Sequence, residues 1–372
     1  MIIKSFLIII LLAFYTGYTA ELEVRDPDYV EYCTLIVPRE KLSEDRDERR
    51  SFLDDYFCET LASAKDEAES WRISLQKPNC ADFFIDPDIK RNAEMWGRIS
   101  KLHEISCFYR NIGKVFESFN DNWTLLSWAK QWEEYNKATP LHPHQTLTIL
   151  HLDDHEDLMS PRIRISGEQM FDMITEKEII LNDFKGLESA LISGSIGIGS
   201  FIPPFLFSLK DVNIQLRHLS ERYVDKPSSI QEIYIDTVDD NFLMNGKGRL
   251  SLNRVNIDTF EESDSKHCYY VTSCMDEFLL NIPDGPIFLH FDMDYFNDRF
   301  DGCSDWLTKG RCHNPNLVNV LERINLFLCK LVDLDLKHRI IDVTVAVSPG
   351  FFPSEMWAES TELIRNFFNV TY

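Results

Sequence analysis

Apolar residues are arranged in two ways along this chain, and the change comes near residue 140. Before it, single apolar side chains recur among charges. In "DERRSFLDDYFCETLASAKDEAESWRISL", Phe52, Tyr56, Leu61 and Trp71 are spaced as on the buried stripe of amphipathic helices, and "EMWGRISKLHEISCFYRNIGKVFESF" is similar. Residues 21–140 therefore read as a helical, acidic N-terminal region. "KATPLHPHQ", with Pro140 and Pro143, marks a break. After it come short, continuous apolar runs: "LTILHLD", "EIYID", "IFLHFDMD" and "IIDVTVAV". Such runs suit strands buried on both faces of a parallel sheet. Helix-like stretches between them predict an α/β layer fold over residues 141–372. In such sheets ligands bind beyond the carboxyl ends of the strands.

Acidic residues collect at those strand exits. "HLDDHEDL" follows "LTIL" and carries Asp153-x-His155-x-Asp157, and "HFDMDYFND" follows "GPIFL" and carries Asp292-x-Asp294. Residues two apart on an extended chain face the same way, so each cluster can aim its donors at one point. Carboxylates crowded together repel and are costly to bury, and divalent cations neutralise them. Oxygen donors with one or two imidazoles suit Mn²⁺, Mg²⁺, Fe²⁺ or Zn²⁺, with Mn²⁺ favoured by the oxygen-rich set. A two-metal site would activate water near neutral pH. One Asp-rich loop alone is more often a turn or helix cap. Two clusters, each ending an apolar strand, favour a shared metal site, with His151 and His290 as further candidates because each precedes its cluster on the same strand face.

The chain has 372 residues, of which 44% are hydrophobic and 27% charged, enough for a large core and not a disordered composition. Its net charge of −23 disfavours nucleic acid and anionic membranes and favours a cationic substrate. Lys4, the apolar run "SFLIIILLAFY" and the small residues ending at Ala20 predict a signal peptide over residues 1–20. The expected destination is outside the cell or the secretory lumen, or the periplasm of a bacterium. No stable membrane association is expected after cleavage. Asn122 and Asn369 head sequons. In an oxidising compartment several of the nine cysteines would pair, Cys268 with Cys274 and Cys303 with Cys312 being close enough to close small loops. No CxxC pair points to a thiolate zinc site.

In the order "ILHLDDHEDL", "GSIGIGSFIPPFL", "IFLHFDMDYF" and "VAVSPGFFPSE", residues 145–360 resemble the arginase/deacetylase (ureohydrolase) superfamily, and within it the peptide-arginase-like family. The resemblance implies a three-layer α/β fold, a parallel sheet with helices on both faces and two Mn²⁺ (or Fe²⁺ or Zn²⁺) at its carboxyl edge. It also implies ligands at Asp153, His155, Asp157, Asp292 and Asp294, with Asp153 and Asp292 bridging. Peptide arginases convert arginine in peptides or proteins to ornithine with release of urea. Asp292, His155 and Glu355 are the expected catalytic groups, and Ser195, Asn297 and Ser348 the expected substrate contacts. The sequence departs from arginases in three places. It has no Gly-Asp-His turn, only His142 and His144 upstream. Asn297 replaces the last acid of the second cluster, beside Asp298. Ala346 stands where arginases hold the guanidinium with a Glu, for which Glu355 or Glu359 could substitute. Two other readings are compatible with the same residues: hydrolysis of another guanidino compound or an amide, and a non-catalytic secreted protein that retains a metal.

Overall fold

The computed structural model describes residues 30–57, 60–77, 85–139, 142, 145–244, 246–260, 263–301 and 313–369. The expected signal peptide, its cleavage at Ala20, His144 and the Cys303/Cys312 pair lie outside the described residues.

The N-terminal region is not all helix. Strands β1 (Val30–Pro38), β2 (Leu61–Glu67) and β3 (Ser70–Lys77) form a small antiparallel sheet in the order β1-β3-β2. On β3, Trp71, Ile73 and Leu75 are buried while Arg72, Ser74 and Gln76 are not. That is a period of two, the strand signature, where the sequence pattern predicts helix. Helix α1 (Arg46–Tyr56) does form, capped by the Asp45 carboxylate, which accepts from the amides of Asp47 and Glu48. Leu53 and Phe57 close over the sheet with Trp71 and Ile73. Helix α2 (Ile89–Gly97) is the second helix of this region.

The large sheet begins well before residue 141. Strands β4 (Tyr109–Ile112) and β5 (Val115–Ser118) form a hairpin that joins it. The remaining strands are β6 (Leu147–Leu152), β7 (Ile163–Ser166), β8 (Gln169–Asp172), β9 (Glu178–Ile179), β10 (Ile214–Leu219), β11 (Ser229–Asp240), β12 (Gly246–Ile257), β13 (His267–Thr272), β14 (Ile287–Asp292) and β15 (Ile340–Ala346). Among the described residues the order is β4-β5-β15-β14-β6-β10-β13-β11-β12-β7-β8-β9. The stretch from β5 to β13 is parallel. The stretch from β13 onward is antiparallel, so "EIYID" belongs to a long hairpin, β11–β12, and not to the parallel core. Its outer half alternates between exposed and covered positions, as a strand with one wet face does.

Strands β6 and β14 are buried at every position, as continuous apolar runs predict; β10, "IQLRHL", is equally buried although it carries Gln215, Arg217 and His218. Leu150 and Leu152 of β6 enter one apolar cluster, Leu147 and Ile149 the other. Helices α3 (Thr124–Ala138), α4 (Phe184–Ser193) and α5 (Ile202–Ser208) pack in the second cluster; α6 (Met275–Leu279), α7 (Leu317–Asp333) and α8 (Trp357–Asn369) pack in the first. The fold is thus mixed α/β. No helix among the described residues is long and apolar enough to cross a membrane.

Because β5, β15, β14, β6 and β10 run the same way, their carboxyl ends share one edge. The segments leaving that edge carry Asp121, Ser348, Asp292, Asp153 and Arg222.

Candidate metal centre

Parallel register brings three histidines into a row: His218 of β10 opposite His151 of β6, and His151 opposite His290 of β14. The His151 ring lies 5.0 Å from each of the other two, and all three side chains are fully buried. Nδ1 of His151 and Nδ1 of His290 are 2.9 Å apart. Burial and its neighbours push His151 well down; His218 is pushed down to about 4 and His290 to about 3, so near neutrality these rings are neutral, the form that ligates metal.

One step beyond the row, the chain turns. The Asp153 carboxylate accepts from the His155 amide at 2.6 Å, and Asp157 takes a left-handed φ of 53°. On the neighbouring strand Asp292 accepts from the Asp294 amide at 3.1 Å. The two turns lock together through Asp294, whose oxygens accept from the Asp154 amide at 3.1 Å and lie 2.9 Å from His155 Nδ1.

Three sets of donors converge here with all their ligating atoms within 4.8 Å of one another: Asp153, His155 and Asp294; His151, Asp153 and His290; Asp121, Asp153 and Asp157. Asp153 belongs to all three. The fit to a cation rests on unsatisfied atoms. His151 Nε2, Asp153 Oδ2 and Asp157 Oδ2 are buried and make no hydrogen bond, although His151 Nε2 is 3.4 and 3.5 Å from the two oxygens. Buried polar atoms are rarely left so. These groups could hold a metal ion.

The electrostatics agree. Burial, reinforced by Asp157 and Asp294, pushes the Asp153 carboxyl well above its ordinary range. Burial and Asp121 do the same to Asp157; burial with Asp294 and Asp153 does so to Asp292. For His155, burial opposes charge, but the carboxylates of Asp294 and Asp153 outweigh it and raise the imidazole well up. The same contact holds Asp294 below its ordinary value against the opposing effect of burial. Negative charge concentrated this way needs protons or a cation.

The supporting contacts correct several sequence expectations. Asp292 is in the cluster but in none of the three donor sets; its oxygens are engaged by the Ser348 hydroxyl at 2.6 Å and the Asp294 amide. Ser348 therefore holds a cluster carboxylate. Ser195 is buried, and its hydroxyl donates to the Ala190 carbonyl at 3.1 Å. The Asn297 amide donates to Asn314 and to the Pro315 carbonyl, and its oxygen accepts from the Arg299 amide. Neither is available to a ligand. Glu355 is exposed and ion-paired to Arg299 at 2.5 Å, outside the buried acid cluster; Glu359 is exposed on α8. From 193–204, the Phe201 ring reaches the site, edge-on to His290 at 5.6 Å. Asn122 is fully buried with its amide donating to the Ile196 carbonyl, so the folded chain cannot carry a glycan there. Asn369 is exposed at the end of α8, bonded to Ile112 and Lys114. Cys268 and Cys274 are free thiols.

Asp121, His218 and Arg222 went unread in the sequence. Asp121 follows the exit of β5, the same signal as the other acids, but a lone Asp before a helix reads as a cap. His218 Nε2–H donates to the Asp153 carbonyl (3.0 Å), and its Nδ1 accepts from the Tyr269 hydroxyl (2.7 Å). Arg222 bridges Asp154 and Asp301, both at 2.8 Å, and its Nη2 is 2.8 Å from His155 Nε2. Asp154, Asp298 and Asp301 form a further acidic group there; burial and neighbouring carboxylates push Asp154 up to about 6 and Asp298 up to about 7.

No family model and no curated protein matches the chain.

Proposed function

We propose that this chain is a metal-dependent hydrolase of C–N bonds, acting on arginine side chains of peptides or proteins to leave ornithine and release urea. The observation that carries the reading is the set of buried, unsatisfied donors on His151, Asp153 and Asp157 at the carboxyl edge of a parallel sheet. Asp121, His151, Asp153 and Asp157 would hold one cation and Asp153, His155 and Asp294 a second, with Asp292 beside them. Mn²⁺ suits the oxygen-rich donor set, with Fe²⁺ or Zn²⁺ as alternatives. When bound, such ions supply Lewis acidity and make water nucleophilic near neutral pH. The chain's own residues arrange the rest. Ser348 orients Asp292, Arg222 lies against the outer edge of the His155 ring, and the Phe351 ring, 5.2 Å from the His155 ring, packs on one side of it. The net charge of −23 favours approach of a cationic side chain. The reading goes with an arginase/deacetylase-type fold and with export after removal of residues 1–20.

One observation favours an amide substrate instead. Arg222 places a partly exposed guanidinium against His155. A fixed cation there repels a second guanidinium and would stabilise negative charge developing on a carbonyl oxygen.

Mass spectrometry of arginine peptides incubated with the Mn²⁺-loaded protein separates the two. The arginine reading expects a loss of about 42 Da per arginine, urea leaving as water adds, and none with Asp153→Asn. Hydrolysis of amides with arginine untouched would replace it with the second reading. Turnover of neither, with metal bound, would leave a metal-holding protein without this activity.

A further inference from the structure

We propose that Cys107 and Lys77 form a peroxide-reactive thiol site, separate from the metal centre and independent of its function. Lys77 is the last residue of β3, and Cys107 ends a short helical turn just before β4, so the pair spans the seam between the small sheet and the large one. The Lys77 side chain is buried at 5% exposure, yet its ammonium donates to the Cys107 sulfur at 3.0 Å. It also lies 4.9 Å from the centre of the Tyr32 ring.

A buried ammonium requires negative charge or strong acceptors around it. The sulfur accepts a hydrogen bond from it, and an ammonium at this distance is placed to protonate the oxygen that leaves when the sulfur attacks a peroxide. The Tyr32 ring face adds to the welcome for the cation, and its hydroxyl is fixed by the Ser193 carbonyl at 3.1 Å. A cavity of about 600 Å³ opens on the pair, walled by Tyr32, Ile99, His103, Phe108 and Ile192. Cys107 is half-buried and the cavity is open to solvent, so a small uncharged oxidant reaches the sulfur.

The reaction is a two-electron transfer. The sulfur attacks one oxygen of hydrogen peroxide; an S–O bond forms and the O–O bond breaks. Sulfur is oxidised to the sulfenic acid and the peroxide is reduced. The departing hydroxide takes a proton from the Lys77 ammonium and leaves as water. Oxidation inserts an oxygen between the two sheets.

The test is competition among the chain's own thiols. Intact protein is treated with limiting hydrogen peroxide in the presence of dimedone, and the adduct on each cysteine is quantified by peptide mass spectrometry. Cys274 and Cys329 are exposed and serve as internal references. Cys107 is expected to be trapped about tenfold faster than either, despite being less accessible. Lys77→Met should remove the advantage, and Lys77→Arg should retain much of it. Trapping of Cys107 in the parent no faster than Cys274 overturns the proposal, and so does an undiminished rate in a folded Lys77→Met protein. Because the parent comparison alone decides the first point, a variant that fails to fold leaves the proposal open to refutation.

Discussion

Ser348→Ala isolates one contact of the candidate metal centre. Ser348 follows β15 with φ of 42°, and its hydroxyl donates to Asp292 Oδ2 at 2.6 Å. Its backbone is held independently, the amide by the Phe119 carbonyl at 2.9 Å and the carbonyl by the amides of Phe351 and Phe352. Alanine keeps all of that and the same backbone strain, so only the hydroxyl is lost. Hydrogen bonds to a charged group contribute about 1.5–3 kcal/mol. Supporting contacts of this kind change metal affinity by roughly 10–100-fold, or about 1.4–2.7 kcal/mol. Burial, with Asp294 and Asp153, already drives Asp292 toward its protonated form, against which the Ser348 bond acts. Without that bond a proton competes better with the cation, so the loss should widen as pH falls. Calorimetric titration of metal-stripped protein with Mn²⁺, for parent and variant at two pH values, measures both effects. Ser348→Gly relieves the positive φ and gives the backbone contribution separately. Affinity unchanged within about twofold, with a shift in KM instead, would refute the reasoning and return Ser348 to substrate contact.

Three further outcomes are expected. Asp121→Asn should weaken cation binding by roughly tenfold or more in the same titration, because Asp121 shares a donor set with Asp153 and Asp157; no change would remove it from the site. Burial pushes the Asp342 carboxyl from its ordinary 3.8 up to about 7, with Ser127 bonded to one oxygen at 2.8 Å. Between those values the unfolded state releases the proton first, so stability should fall as pH rises from 4 to 7, by about 4 kcal/mol at about 1.4 kcal/mol per pH unit. Asp342→Asn should flatten that slope in denaturant titrations across the same range. Gly285 has φ of +136°, and a Cβ there would lie 2.2 Å from the Thr146 carbonyl oxygen, so Gly285→Ala should lower stability by about 1–3 kcal/mol or more, read as a drop in melting temperature.

The sequence revealed what burial on both faces imposes. "LTILHL" and "IFLHFD" are mostly apolar because nothing on either strand meets water, and the acids at and just past their ends stand out by contrast. The small sheet was hidden because β2 is largely uncovered: "LASAKDE" carries polar residues where a helix surface would, and only Trp71, Ile73 and Leu75 keep period two. The hairpin β11–β12 was misread as parallel core because five residues, "EIYID", show apolarity but not the partner strand. Within the site, His151 and His290 were legible by their spacing from Asp153 and Asp292. That they would meet at 2.9 Å depends on strand register, which adjacent residues in a sequence do not carry. Ser348, Ser195 and Asn297 drew attention as polar residues near motifs; their partners lie on other segments, and those partners decide that they brace the structure.

The most direct measurement is metal stoichiometry. Purified protein loaded with Mn²⁺ and desalted should retain about two ions per chain by elemental analysis. Asp153→Ala, which removes the one residue common to all three donor sets, should lose both while retaining its fold by circular dichroism. Retention of two ions by that variant, or less than about a tenth of an ion by the parent under saturating Mn²⁺, Fe²⁺ and Zn²⁺, would contradict the assignment of a metal centre to these residues.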